Sequence, residues 1–215
     1  MDKPGKARKI LDILGREFPN PRSALLFSNP FELLIATILS AQATDKLINS
    51  VTPALFRKYR DAGAYARADL KEIEEDLRRV NFFRNKARNI RNCTIKLVKD
   101  FGGKVPSTLD ELTTLPGVGR KTANIVLGNA FGKNALAVDT HVKRVSRRLG
   151  LARSDDPDDI EGELSALIPE DRWTVTTHLF ILHGRKTCTA RNPKCGICPV
   201  REYCDYYKDV YSKSE

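Results

Sequence analysis

The hydrophobic positions of the chain follow helical spacing, and alternating strand-like patterns are absent. The most apolar run, Phe31 to Ala41, has the length and composition of a buried core helix and is too short to span a bilayer. Asn29-Pro30-Phe31-Glu32 predicts where this helix begins, with Asn29 as N-cap and Pro30 at the first helical position. The pattern predicts an all-α fold.

Three further helices are predicted toward the middle of the chain. Ser107 with Asp110 predicts a capping box that opens a short helix over residues 108–113. Residues 120–130 predict a buried helix that ends near Gly132. The third helix, over residues 140–149, is amphipathic and stops at Gly150. Its apolar stripe consists of Val142, Val145 and Leu149, and its basic stripe of Lys143, Arg144, Arg147 and Arg148.

The charge of the chain favours a polyanionic partner. The 215 residues leave room for one or two domains, and the formal net charge is +10 with a sequence pI of about 9.5. Residues 154–171 carry eight acidic side chains and no Lys or Arg, which predicts an acidic face turned away from a basic one. The alternative is a thermostable-type surface rich in ions of both signs.

The first residues lack the apolar segment of a signal peptide. We therefore expect an intracellular, cytoplasmic protein that does not enter a membrane and whose five cysteines are reduced unless they hold a metal.

Residues 115–122, Leu-Pro-Gly-Val-Gly-Arg-Lys-Thr, predict a helical hairpin whose turn can bind a phosphate. Gly117 and Gly119 let a phosphate approach without a clashing Cβ, although an ordinary turn would use glycine too. Lys121 falls in the first turn of the following helix, where a positive charge faces the positive end of the helix dipole. It could act as an amine nucleophile that forms a Schiff base, or simply contact a phosphate.

Asp139 precedes the basic amphipathic helix in the segment Ala-Val-Asp-Thr-His. Asp is a favoured N-cap, so a structural role is well supported. A capping carboxylate can still stand at a cleft, where it could accept a proton or stabilise positive charge on a sugar.

Four cysteines near the C-terminus form a C-x6-C-x2-C-x5-C run: Cys188, Cys195, Cys198 and Cys204. Its single short C-x-x-C pair differs from the paired units of structural zinc sites, which favours an iron–sulfur cluster over zinc or disulfides. Such a cluster would stiffen the loop that carries Arg191 and Lys194 as a cationic finger for phosphate. Cys93 stands apart among apolar positions and is predicted to be a buried free thiol.

Taken together, these motifs resemble the endonuclease III family, bifunctional base-excision DNA glycosylases of the helix-hairpin-helix superfamily. The resemblance extends over essentially the whole chain and rests on the four cysteines and on four segments: Ser40–Asp45, Leu115–Asn124, Ala137–His141 and Leu182–Arg185.

The resemblance implies a [4Fe–4S] cluster on the four cysteines, Lys121 as the Schiff-base nucleophile and Asp139 as its carboxylate partner. It also implies two helical domains that flank a DNA-binding cleft. Residues 22–133 would form a six-helix barrel with the hairpin, and residues 1–21 with 134–215 a discontinuous cluster domain.

The expected partner is double-stranded DNA with damaged bases or abasic sites, bound by a monomer. Gln42 falls where the family inserts a polar residue into the space left by the extruded base. Phe82 falls near the position where some relatives place a leucine, with core packing as the alternative for Phe82 and Phe83. The expected DNA contacts are Gln42, Phe82, Gly117, Val118, Gly119, Arg120, His141, Arg191 and Lys194. Some of the eight basic residues within 78–99 could join them, although most such runs are solvated faces.

Three functions compete at this point. The favoured one is a glycosylase with lyase activity on oxidised pyrimidines. The second is a mismatch glycosylase without lyase chemistry, a class whose members tend to lack the lysine found here at position 121. The third is a non-catalytic DNA-binding module with a structural metal.

Overall fold

A computed structural model describes residues 1–211 of the chain, and every regular element within that range is helical. No helix in this range is both long enough and apolar enough to cross a membrane. The α-helices are α1 (Lys3–Glu17), α2 (Pro30–Ser40), α3 (Asp45–Lys58), α4 (Ala62–Arg67), α5 (Leu70–Asp76), α6 (Phe83–Phe101), α7 (Leu109–Thr113), α8 (Arg120–Ala130), α9 (Thr140–Arg148), α10 (Pro157–Ser165) and α11 (Trp173–Lys186). Short 3₁₀ turns occur at Glu170–Arg172, Cys195–Ile197 and Arg201–Tyr203, and a π-helical turn follows at Tyr207–Tyr211.

One predicted helix begins, and another ends, where the sequence signals indicate. The Asn29 side chain accepts a hydrogen bond from the Glu32 N–H at 2.9 Å, and every residue of α2 from Leu33 to Leu39 is buried. Helix α8 spans Arg120–Ala130, and Gly132 beyond it has a φ of 62°, in the left-handed region that favours glycine.

The predicted capping box of α7 is wrong by one residue. The N-cap is Thr108, whose hydroxyl accepts from the Glu111 N–H at 3.3 Å and donates to the Glu111 carboxylate at 2.6 Å. The longer Glu side chain reaches back to the cap, as the motif requires, and Asp110 is displaced from that position. Helix α9 ends at Arg148, one residue before its predicted end at 149, and Leu149 is its C-cap.

The chain divides into two compact units, residues 23–133 and residues 1–22 together with 134–215. In the first unit, the buried helix α2 packs against α3, α6 and α8, α4 and α5 pack against α6, and α7 packs against α8. Cys93 lies fully buried in α6 as a free thiol, as predicted.

In the second unit, α11 packs against both α1 and α9. Ile10, Leu14, Val142, Leu179 and Phe180 are each fully buried in one core that these three helices share. The N-terminal helix therefore belongs to the same core as the cysteine segment, although more than a hundred residues separate them in sequence.

The predicted separation of acidic and basic faces is wrong in part. Asp155, which lies in the acidic segment, pairs with both Lys143 and Arg147 on the basic stripe of α9. The hydrogen bond from Lys143 contributes most to lowering the pKa of Asp155, and the charge of Arg147 adds to this effect. Part of the cationic charge of α9 is therefore neutralised within its own unit.

Candidate functional site

The turn between α7 and α8 is built on a glycine that no other residue could replace without strain. Gly117 has a φ of 79°, and a Cβ added there would lie 2.9 Å from the Asn89 Cβ. Val118 beside it is only 5% exposed and anchors the turn, so its contribution to a ligand would come from the backbone. The turn thus presents main chain, which is the surface that a phosphate can approach most closely.

Helix α8 starts directly after this turn, with Gly119 as N-cap and no capping side chain. The first N–H groups of a helix have no partner within it, which makes this end suited to an anion. Arg120 and Lys121 are exposed in the first turn of the helix, whereas Ala123 and Val126 are buried. The fold therefore holds the Lys121 amine at the surface, beside the candidate phosphate site.

Asp139 caps α9, as its sequence position predicted. One oxygen, Oδ1, accepts from the N–H groups of both His141 and Val142, at 2.8 and 2.7 Å. Because both capping bonds use the same oxygen, Oδ2 is not needed for the cap. The half-buried carboxylate can therefore cap the helix and still offer an oxygen for chemistry.

His141 is half-buried and its Nδ1 lies 3.1 Å from Nη2 of Arg144. Arg144 also donates to the carbonyls of Gly184 and Cys188. The predicted DNA contact His141 is thus part of a polar network that joins α9 to the end of α11 and the start of the cysteine segment.

The four cysteines of the C-terminal run line a single cavity. Cys195 and Cys204 are buried, and Cys188 and Cys198 are half-buried. Within residues 1–211, no three or more His, Cys, Asp or Glu side chains are arranged to hold one metal ion. Four thiols that surround a volume, rather than converge on a point, fit a cluster of several metal and sulfide atoms.

Burial raises the pKa of three of these thiols, that of Cys198 to about 11. A metal bound at this site must therefore displace protons from them, because the thiolate is the ligand form. His183 lies beside the cavity with its Nε2 at 3.7 Å from the Cys198 Sγ, and burial lowers its pKa to about 4.

The loop between Cys188 and Cys195 carries the predicted cationic finger, and both Arg191 and Lys194 are exposed. Arg148 braces this loop through hydrogen bonds to the Thr189 and Ala190 carbonyls, at 2.7 and 3.1 Å. The sequence placed Arg148 on the polar stripe of α9 without giving it a role, although it falls one helical turn after Arg144, which bonds to the same segment.

Gln42 and Phe82 lie close together in the first unit and line one surface depression with Gly117. Both have left-handed backbone conformations, with φ values of 54° and 58°. Phe82 is 60% exposed, which excludes core packing for this side chain, whereas Phe83 is half-buried. Lys86 lines the same depression; the sequence included it among the eight basic residues within 78–99 without giving it a role of its own.

Comparison with protein families matches the chain twice. Residues 35–170 match the HhH-GPD superfamily of base excision DNA repair proteins. Residues 188–204, which begin and end at a cysteine, match the iron-sulfur binding domain of endonuclease III. The cofactor of the protein is accordingly a [4Fe–4S] cluster.

The chain is also similar to individual proteins over nearly all of its length. It is 50% identical to the endonuclease III of Synechocystis sp. across 203 residues, which cover 94% of this chain and 93% of that protein. Two solved structures, a non-covalent complex of an endonuclease III with DNA and a trapped covalent endonuclease III–DNA intermediate, each share 45% sequence identity with it. Both superpose with a TM-score of 0.93 and cover 100% of either chain. These matches agree with the glycine hairpin and the thiol-lined cavity of the structure, and the chain belongs to the endonuclease III family of the HhH-GPD superfamily.

Proposed function

We propose that this protein is a bifunctional DNA glycosylase and abasic-site lyase that removes oxidised pyrimidines, with Lys121 as its nucleophile. The observation that carries the proposal is the exposed Lys121 amine in the first turn of α8, directly after the glycine turn. The similarity to a structure of a trapped covalent intermediate with DNA supports it, since a Schiff-base enzyme can be trapped in that way.

The chemistry begins once the damaged nucleotide has left the stack. Lys121 Nζ attacks C1′ of the sugar, the glycosidic bond breaks, and the base departs with the bonding electrons. The nitrogen loses one proton, and its lone pair opens the sugar ring, whose oxygen takes up a proton, to give a protonated imine between Nζ and C1′. Removal of a proton from C2′ then expels the 3′ phosphate, and hydrolysis of the imine frees the lysine.

Asp139 supplies the carboxylate of the reaction. Since capping occupies only Oδ1, the second oxygen can accept a proton from the amine or stabilise positive charge on the sugar. Either task requires the ionised carboxylate, and Asn at this position would retain the cap but lose the charge.

The hairpin and the cationic finger are proposed to bind the DNA backbone. The main chain of Gly117, Val118 and Gly119 and the side chain of Arg120 would hold one phosphate, and Arg191 and Lys194 would bind others. The substrate is double-stranded DNA that contains a damaged base or an abasic site, and the active form is a monomer.

Borohydride trapping tests the proposed nucleophile. Wild-type protein mixed with a duplex that contains an oxidised pyrimidine should form a covalent complex, and Lys121→Ala should lose it while still binding the duplex. Lys71→Ala, which changes an exposed lysine of α5, should be trapped like the wild type. Base excision without trapping in the wild type would instead identify a monofunctional glycosylase, and binding without excision a non-catalytic module.

The four cysteines of the cavity are proposed to bind the [4Fe–4S] cluster, which supplies a rigid cross-link of the segment that carries the cationic finger. Replacing any one of them by Ala should abolish or strongly reduce the yellow-brown absorbance of the purified protein. Cys93→Ala is the matched control, because this buried thiol lies in α6, and it should leave the absorbance unchanged. A colourless wild-type protein with stoichiometric zinc would contradict the assignment.

A further inference from the structure

The C-terminal end of α2 is held by side chains from residues 81–86. Lys86 Nζ donates to the carbonyls of Leu39 and Ala41, at 2.8 and 2.6 Å, and Asn81 Nδ2 donates to the Gln42 carbonyl at 3.2 Å. The backbone N–H of Lys86 also donates to the Phe82 carbonyl at 3.1 Å. One lysine thus bonds both to the segment that leads into Gln42 and to Phe82, the N-cap of α6.

Lys86 occupies a site where a charged side chain is costly. It is 5% exposed, and burial lowers its pKa. A buried ammonium is tolerated only where it is hydrogen-bonded, and its partners here are carbonyls at the negative end of the α2 dipole. An apolar side chain could fill the same volume without desolvation, but it would leave those carbonyls without their donor.

The two residues next to the carbonyls that Lys86 and Asn81 bind, Gln42 and Phe82, have unfavourable backbone conformations. Gln42 and Phe82 have φ values of 54° and 58°, which side chains other than glycine rarely adopt. Such conformations persist only where the surrounding structure fixes them. The bonds made by Asn81 and Lys86 constrain the backbone here, and the side chains of Gln42 and Phe82 are both exposed in the depression that Lys86 also lines.

We propose that Lys86 is a positioning residue that holds Gln42 and Phe82 together in the conformation that fills the space left by an extruded base. The inference rests on the proposed function, since it assigns a task in base extrusion to a residue outside the chemistry. Because the backbone that carries the two side chains is already constrained before DNA binds, less conformational freedom is lost when they enter the duplex.

The consequence is a selective defect. Excision requires that a base be extruded, whereas strand cleavage at a preformed abasic site involves no base to extrude. Excision should therefore depend more strongly than abasic-site cleavage on the positions of Gln42 and Phe82. Single-turnover rates on a duplex with one thymine glycol and on a duplex with one abasic site measure this difference. Lys86→Met should slow excision by about tenfold or more and abasic-site cleavage by no more than about threefold.

A matched control lies on the same helix. Lys96 pairs with Asp100 at the surface, at 2.7 Å, and Lys96→Met should leave both rates and their ratio unchanged. Fluorescence of 2-aminopurine placed beside the thymine glycol reports unstacking directly, and its rise on binding should be smaller with Lys86→Met than with Lys96→Met.

Asn81→Ala provides a second test that does not alter the buried site. It removes only the bond to the Gln42 carbonyl and should lower the same rate ratio by a smaller factor, about twofold to threefold. If Lys86→Met does not fold, this variant decides: a lowered ratio supports the proposal and an unchanged ratio overturns it.

The outcomes separate this inference from the proposed function. If Lys86→Met lowers the single-turnover rates on both duplexes equally, or lowers neither, the positioning role is overturned. The wild-type activity would still support the glycosylase. A wild-type protein inactive on both duplexes overturns the proposed function and the positioning role together.

Discussion

At the scale of single residues, the candidate site combines structural and chemical tasks in the same side chains. Asp139 caps α9 through one oxygen and leaves the other available. Lys86 supports the end of α2 and, in our proposal, the pair that fills the duplex. Substitutions that preserve the structural task while removing the chemical one are therefore the informative ones.

Asp139→Asn should separate capping from catalysis. Asn is as good an N-cap as Asp, so the free energy of unfolding should change by less than about 0.5 kcal/mol, while base excision should fall by about 100-fold or more. Urea unfolding and single-turnover excision measure the two effects. Asp156→Asn, at the equivalent cap of α10, should alter neither, and an Asp139→Asn enzyme that retains full activity would remove the carboxylate from the mechanism.

At the scale of elements, the hairpin between α7 and α8 depends on a close backbone approach as well as on backbone conformation. Gly117 has both a positive φ and the Asn89 side chain against it. Gly103 has nearly the same φ, +80°, but an added Cβ there meets nothing within 4 Å. Gly103 is therefore the control that separates the effect of a positive φ from the effect of the close approach of Asn89.

Gly117→Ala should destabilise the fold more than Gly103→Ala. Both should lose roughly 1–2 kcal/mol from the strained φ, and the clash with Asn89 should add to the loss only at position 117. Urea denaturation of the two variants gives the difference, and DNA affinity should fall only for Gly117→Ala. Equal stability losses would mean that Asn89 moves aside without cost.

The sequence predicted elements best where a local signal defines them. Asn29-Pro30 fixed the start of α2 and glycine the end of α8, because capping and turn conformation are properties of a few neighbouring residues. The bonds of Lys86 to Leu39 and Ala41 join residues more than forty positions apart, and no local pattern encodes such a pairing. The same reason explains why Asp155 was predicted on a separate acidic face, although it pairs with α9.

At the scale of the whole molecule, the excess of positive charge should make DNA binding strongly dependent on salt. Each phosphate contact releases counterions, so the slope of log K against log salt counts the contacts. Arg191→Ala and Lys194→Ala should each reduce the magnitude of that slope by about one. Lys96→Ala should not change it, since this lysine pairs with Asp100, and unchanged slopes for the loop variants would contradict their role in phosphate binding.

The stability of the whole protein should also fall in mild acid. Burial lowers the pKa of His178 from its usual value of 6.5, so the folded state keeps this side chain neutral where the unfolded chain takes up a proton. The stabilisation is complete above pH 6.5 and is lost as the pH falls toward the lower folded-state pKa. Urea unfolding at pH 7.5 and 5.5 should show that His178→Gln loses less free energy of unfolding between the two pH values than the wild type does.

The discontinuous unit has a consequence for biosynthesis. Residues 23–133 form one unbroken unit, whereas α1 shares its core with α11, which the ribosome makes more than a hundred and fifty residues later. Ile10 and Leu14 must therefore wait for Leu179 and Phe180 of the same core until α11 has been made, and the four thiols of the cavity are made later still. Cluster insertion thus has to wait until Cys204 has been translated, when the nascent chain can first enclose its cofactor.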